Sequence, residues 1–162
     1  MTTETKTTFK RNILRDDATE TATELLQKNL VNLIDLALLL KQAHWNVVGA
    51  NFRSLHLQLD DVIASVRDAS DSVAERSSTL GVAPEGSSTT VSHQSVFTDY
   101  PSGFLSVGET LSHVADALNE TIEHLRRAID TLGDVDPVTE DLCIGIAATL
   151  EKHLWMLQSQ EL

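Results

Sequence analysis

Cysteine, proline and aromatic residues are all scarce in this chain, and each shortage removes a class of protein. The lone cysteine, Cys143, cannot form an intrachain disulfide. That excludes a disulfide-stapled scaffold and suits a reducing compartment. It also leaves no thiolate set for a zinc or iron–sulfur centre. Three prolines in 162 residues, with aromatics at only 4% and an apolar set dominated by Leu and Ala, favour helix over sheet. The longest purely apolar run, Leu36 to Leu40, is far short of the ~20 residues of a membrane span. The first thirty residues contain no apolar signal-type segment, so a cytoplasmic location is expected. Positive charge is scarce as well. Twelve Lys and Arg face 24 Asp and Glu, for a net charge of −12. That argues against a charge-driven nucleic-acid or anionic-membrane binder. The same charge attracts cations and favours solubility. Glycine-rich phosphate loops, H-E-x-x-H and the nucleophile elbow are all missing.

What is present is long helical periodicity. The length suits one domain that buries roughly two-thirds of its unfolded surface. Residues 1–16 are polar and carry Lys6, Lys10, Arg11 and Arg15, which predicts a flexible arm ahead of a domain over 17–162. A first helix is expected from Asp17 to Val48, with Leu26, Leu30, Leu33, Ala37, Leu40 and His44 on one stripe and Gly49 as its stop. A second is expected from Arg53 to Leu80, ended by Gly81. Residues 81–105 carry Pro84, Gly86, Pro101 and Gly103 and read as a long crossover with a short helix near His93 to Asp99. A third helix starts at the capping box Ser106/Glu109 and ends at Leu132, closed by Gly133. A fourth has Asp136 as N-cap and Pro137 at N1 and runs to Gln158. Two helical hairpins joined by one long crossover form the all-α, ferritin-like kind of four-helix bundle. Around Leu33 to Leu40 several sides of the first helix are apolar at once, which suits burial against other chains or a broad core face.

Five residues stand out: His44, His56, Asp60, Asp71 and Glu75, spaced H-x11-H-x3-D-x10-D-x3-E. Imidazole and carboxylate donors suit iron and its neighbours. At about 100° per residue, His56, Asp60, Asp71 and Glu75 fall at about 0°, 40°, 60° and 100° on the second helix. They share one side of it. Asp60 and Asp71 are about 16 Å apart along the axis, whereas paired metals sit about 3.5–4 Å apart. The stripe therefore splits into two half-sites, His56 with Asp60 and Asp71 with Glu75. A two-fold dimer with antiparallel helices brings one chain's first half-site against the other's second, twice per dimer. His44 reaches the first half-site from the preceding helix, across the turn at Gly49-Ala50-Asn51. No E-x-x-H occurs in the chain, and bundles that hold two irons inside one subunit normally use that motif. This too favours a site between chains.

The stretch Lys41-Gln-Ala-His-Trp-Asn-Val-Val-Gly-Ala-Asn-Phe-Arg-Ser-Leu-His56, with Leu59-Asp60-Asp61 and Ala74-Glu75-Arg76, resembles the Dps family of ferritin-like mini-ferritins, the DNA-binding proteins from starved cells. The likeness is most specific over residues 41–76. Length, helix pattern and the ending Lys152-His-Leu-Trp155 extend it over nearly the whole chain. The resemblance implies a hollow dodecameric shell with ferroxidase sites at its two-fold interfaces. It places their iron ligands on His44, His56, Asp60, Asp71 and Glu75. It also implies an oxidoreductase that oxidises Fe(II) with hydrogen peroxide, or oxygen, and stores ferric mineral against oxidative damage. The alternative it carries is a nucleoid DNA binder that shields DNA physically. For that reading the basic residues of the arm would supply the contacts, and the net charge opposes it.

Other residues have weaker claims. Trp45 adjoins His44 and reads as an interface packing residue exposed to stray oxidation. Asp134, Asp136, Glu140 and Asp141 cluster at the turn into the fourth helix. The resemblance makes Asp141 a candidate pore residue for iron, while Asp136 is the helix cap. His113, Asp116, Glu120, Glu123 and His124 form a polar stripe that reads as a solvated face, or as a mineral-nucleating wall. His93 and His153 read as structural, and Cys143 as a small core residue.

Overall fold

The computed structural model describes residues 8–162. Its long helices are α1 (Asp16–Asn46), α2 (Phe52–Thr79), α4 (Val107–Leu132) and α5 (Pro137–Gln158), with a seven-residue α3 (Ser88–Gln94) in the crossover. Two short strands, β1 (Val47–Val48) and β2 (Leu105–Ser106), pair in parallel, Val47 with Leu105 and Val48 with Ser106. This is the all-α bundle that the periodicity predicts.

Each long helix buries one apolar stripe in a common core. Leu26, Leu33, Leu36 and Leu40 come from α1, Leu55, Leu59, Val62 and Val66 from α2, Leu118, Leu125 and Leu132 from α4, and Leu150 and Leu157 from α5. Each fully buried leucine contributes about 1.5–3 kcal/mol of transfer free energy. α1 also buries Asn29 and Asn32. Asn29 donates to the Leu25 carbonyl, and Asn32 accepts from the Val96 amide at 3.4 Å, which fastens the crossover to α1. Gln27 does the same further along, donating to the Glu85 carbonyl at 2.8 Å and accepting from its amide at 3.0 Å. Gly86 permits that approach, because a Cβ there would stand 2.9 Å from Ile34 Cδ1.

Several boundaries differ from the sequence expectation; α2 spans Phe52–Thr79 rather than Arg53 to Leu80. α1 stops at Asn46 rather than Val48, because Val47 and Val48 are extended and paired with Leu105 and Ser106. Gly49, at φ 108°, then turns the chain, and Asn51 follows in the left-handed region at φ 64°. The crossover helix spans Ser88–Gln94, not His93 to Asp99. Ser87 caps it by accepting from the Thr90 amide, and Val91 anchors its one buried face. α1 begins at Asp16, one residue ahead of the expected start. The capping box at Ser106/Glu109 and the Asp136 cap with Pro137 stand where the sequence puts them.

Of the polar arm, residues 1–7, including Lys6, lie outside the described residues. The part that follows is tied down at Thr8, whose amide donates to the Gly81 carbonyl at 3.1 Å, and Leu14 packs against the core. Among the described residues no helix is long and apolar enough to cross a membrane.

Candidate metal centre

α1 and α2 form an antiparallel hairpin, and its closed end brings His44 and His56 face to face. Their ring centroids are 3.7 Å apart with planes 21° from parallel. Each Nδ1 lies against the other residue's backbone carbonyl, His44 Nδ1 to His56 O at 2.7 Å and His56 Nδ1 to His44 O at 2.9 Å. A carbonyl oxygen only accepts, so both Nδ1 atoms carry the proton. In the neutral rings, Nε2 is then the free donor atom for a metal. This is the second-sphere arrangement metal-binding histidines normally have, built here reciprocally from the hairpin's own backbone.

Asp60 stands one turn beyond His56. Its Oδ1 accepts from Lys41 Nζ at 2.8 Å and lies 3.4 Å from His44 Nδ1. The Lys41 hydrogen bond holds the Asp60 carboxyl below the usual carboxylate range, opposed by slight burial and aided by the nearby imidazoles. His44 is buried, whereas the Asp60 side chain is 47% exposed. Imidazole and carboxylate are donor types that suit Fe(II) and similar divalent ions.

Asp71 and Glu75 are exposed further along α2 and stand apart from this trio. Among the described residues no group of three or more His, Cys, Asp or Glu side chains of one chain is arranged to hold a metal ion. The five candidates thus form two separate sets on one helical hairpin: His44, His56 and Asp60 together, Asp71 and Glu75 elsewhere.

The remaining candidates divide. Trp45 is 64% exposed and borders a cleft of about 760 Å³ with Leu38, Gln42 and Pro101. Asp141 lines a 380 Å³ surface groove between α2 and α5 with Asp68. Asp136 is buried as the cap of α5 and is engaged by Arg76 Nη2 at 2.7 Å, so it faces no pore. His113, Asp116, Glu120 and Glu123 are exposed, and only His124 of that stripe is half-buried. Burial and neighbouring Arg127 push the His124 pKa down, opposed by Glu120 and Glu123. His93 is exposed in the last turn of α3. His153 has a partner that the sequence did not reveal, Ser65 Oγ at 2.9 Å from its Nε2. Burial lowers its pKa. Cys143 is a core residue whose thiol burial raises to about 11. Lys41 and Arg76 were also unassigned by sequence. Lys41 sits three residues before His44, one turn back on the same helix face, and that spacing was the available signal.

Two helical hairpins joined by one long crossover define the ferritin-like class, and residues 23–161 match the ferritin-like domain family. Similarity is more specific than that. The chain is 39% identical over 136 residues to the fine tangled pili major subunit of Haemophilus ducreyi, covering 84% of this chain and 72% of the relative. It is 38% identical over 146 residues to the DNA protection during starvation protein of Mycolicibacterium smegmatis, covering 90% and 80%. The solved structure of Mycobacterium smegmatis Dps in its tetragonal form superposes with a TM-score of 0.91 at 37% identity, covering 96% of this chain and 94% of that one. The chain belongs to the Dps family of ferritin-like proteins.

Proposed function

We propose that the protein is a ferroxidase and iron-storage protein whose substrate Fe(II) binds between two chains. The observation that carries this reading is the reciprocal His44–His56 pairing, which ties both Nδ1 atoms to backbone carbonyls and leaves both Nε2 atoms as metal donors, with Asp60 Oδ1 3.4 Å from His44 Nδ1. Three ligands leave positions open on each metal, and Asp71 with Glu75 of an antiparallel partner supply carboxylates for them. Family membership supports the same ligand set.

Two Fe(II) side by side give up one electron each to a single peroxide. With two protons the products are two Fe(III) and two water molecules, so no hydroxyl radical is released. Oxygen is the alternative oxidant. The chain's own residues hold the ions, keep both imidazoles in one tautomer and supply negative charge that the higher oxidation state favours. The two-fold dimers build a dodecameric shell that keeps the ferric mineral inside, in the cytoplasm, and lowers oxidative damage to the cell. Asp141, beside Asp68, is the pore candidate on the path of incoming iron.

Direct DNA binding is the second reading, supported by the name that several relatives carry. A net charge of −12 opposes it. Contact would fall to Lys10, Arg11 and Arg15, with Lys6 beyond the described residues. Gel shifts at low and moderate salt, with and without residues 1–16, separate arm-mediated contact from none.

The direct test adds Fe(II) anaerobically, then peroxide, and reads iron and protein from a calibrated sizing column. Rapid oxidation with iron eluting in a large particle supports the proposal. A dimer or monomer without iron contradicts it.

A further inference from the structure

α2 carries four of the five candidate ligands, and polar ties bracket its seam with α5. Gln160 Nε2 donates to Gln58 Oε1 at 2.8 Å, and Ser65 Oγ meets His153 Nε2 at 2.9 Å, both on the His56/Asp60 side. Between the ends the seam is marked by the 380 Å³ surface groove, lined by Asp68, Ala69, Leu142 and Gly145. At the Asp71/Glu75 end the tie is of a different kind. Arg76 Nη2 donates to Asp136 Oδ2 at 2.7 Å, and Arg76 Nε donates to Thr139 Oγ1 at 2.9 Å. The Thr139 hydroxyl in turn donates to the same Asp136 oxygen. The Arg76 and Asp136 side chains are only 14% and 5% exposed, and Thr139 is fully buried.

Asp136 is not free to follow Arg76. Its other oxygen accepts from the Val138 amide as the N-cap of α5, and its own amide donates to the Leu132 carbonyl at 2.8 Å. The guanidinium is therefore held by a rigid acceptor pair at the α4–α5 corner. A planar fork with two donors engaged fixes direction as well as distance, which a single ammonium does not. Arg76 adjoins Glu75 and lies five residues from Asp71. Metal–carboxylate bonds are about 2 Å long, so a small rotation of these turns takes the carboxylates out of reach.

We propose that Arg76 is a positioning residue for the Asp71/Glu75 half-site. Acting through Asp136 and Thr139, it sets the rotation of the last turns of α2 so that both carboxylates meet the partner's His44, His56 and Asp60. This rests on the shared-site reading above. It assigns the two halves of the site different supports: the hairpin backbone for the histidines, and the α5 cap for the carboxylates. It also commits the guanidinium to Asp136, where it does not compete with Fe(II) for Glu75.

The test compares wild type with Arg76→Met, Arg76→Lys, Ser65→Ala and Asp60→Ala as assembled particles, verified by sizing and circular dichroism. Peroxide-driven oxidation is followed against Fe(II) concentration. For Arg76→Met the half-saturating Fe(II) concentration rises about tenfold or more, the range typical of lost second-sphere support. The maximal rate falls much less, because the ligands are unchanged. Arg76→Lys recovers part of the affinity, and Ser65→Ala, which cuts another tie in the same seam, leaves it near wild type. If Arg76→Met does not assemble, Asp136→Asn takes its place; it keeps the cap acceptor, removes the ion pair and gives the same rise. Unchanged half-saturation in Arg76→Met, or an equal loss in Ser65→Ala, overturns the proposal while an inactive Asp60→Ala leaves the shared site standing. An Asp60→Ala particle as active as wild type removes the shared site and this proposal together.

Discussion

His44 and His56 each use Nδ1 to hold the other's backbone carbonyl, at 2.7 and 2.9 Å. One hairpin closure thus sets both tautomers. The two residues are twelve apart, on helices that meet through β1, Gly49 and Asn51, so the turn that joins the helices also builds the nitrogen half of the site. The turn is in turn pinned from outside, because Val47 and Val48 pair with Leu105 and Ser106 at the start of α4.

Lys41 Nζ donates to Asp60 Oδ1 at 2.8 Å, so under the proposed function it is a group that Fe(II) displaces from that oxygen. Its hydrogen bond is the largest influence holding the Asp60 carboxyl below the ordinary carboxylate range. A depressed carboxylate contributes stability above its unfolded pKa and loses it as pH falls through the folded value. The window here lies below about pH 4, and the pair is exposed enough that it contributes under about 1 kcal/mol. Lys41→Met should raise the Asp60 pKa toward the ordinary carboxylate range with little change in melting temperature. Infrared titration of the carboxylate band, differenced against Asp60→Asn, reads this. An unchanged titration would mean that the imidazoles alone hold the group down.

Asp136 differs from the exposed acids Asp60, Asp71 and Glu75 in being buried and paired with Arg76. Burial pushes its carboxyl up, but Thr139, Arg76 and the Val138 amide together more than offset this, and the net pKa is lowered. Asp136→Ala should therefore cost about 3 kcal/mol near neutral pH, from a lost cap and an unpaired buried Arg76. The sign again gives a contribution present above the unfolded pKa of about 4 and lost in more acid solution. Urea unfolding of wild type and variant at pH 7 and pH 3 checks it; the gap should narrow at the lower pH. An equal gap at both would point to packing rather than charge.

Much of this was legible in the sequence, and the limits have a physical pattern. Caps are local, so Ser106/Glu109 and Asp136/Pro137 were placed from adjacent residues. The split between His56/Asp60 and Asp71/Glu75 follows from helical rise alone. What depends on distant partners was not legible. Val47 and Val48 continue a helical pattern until Leu105 and Ser106, far along the chain, pull them into extended pairing. The short crossover helix obeys its Ser87 cap and the burial of Val91, which a Ser/Thr-rich stretch conceals. Arg76–Asp136 and Ser65–His153 join residues 60 and 88 positions apart, and no periodicity encodes such pairs.

Trp45 is expected to report on pairing of chains. It is 64% exposed in the single chain, and so is Trp155. In a Trp155→Phe background, dilution or mild acid that separates the dimers should shift Trp45 emission to the red as the indole meets water. Constant emission across a dissociation seen by light scattering would place Trp45 outside the interface.

The central claim is that each site draws on two chains, and mixed assembly tests it most directly. Asp60→Ala chains and Glu75→Ala chains are each expected to be inactive alone. Refolded together, a mixed dimer joins both defects in one site and leaves the other intact. Random pairing makes half the dimers mixed, so the account predicts recovery of about a quarter of wild-type Fe(II) oxidation. If the mixed particles assemble and stay as inactive as their parents, every site lies within a single chain and the account is wrong.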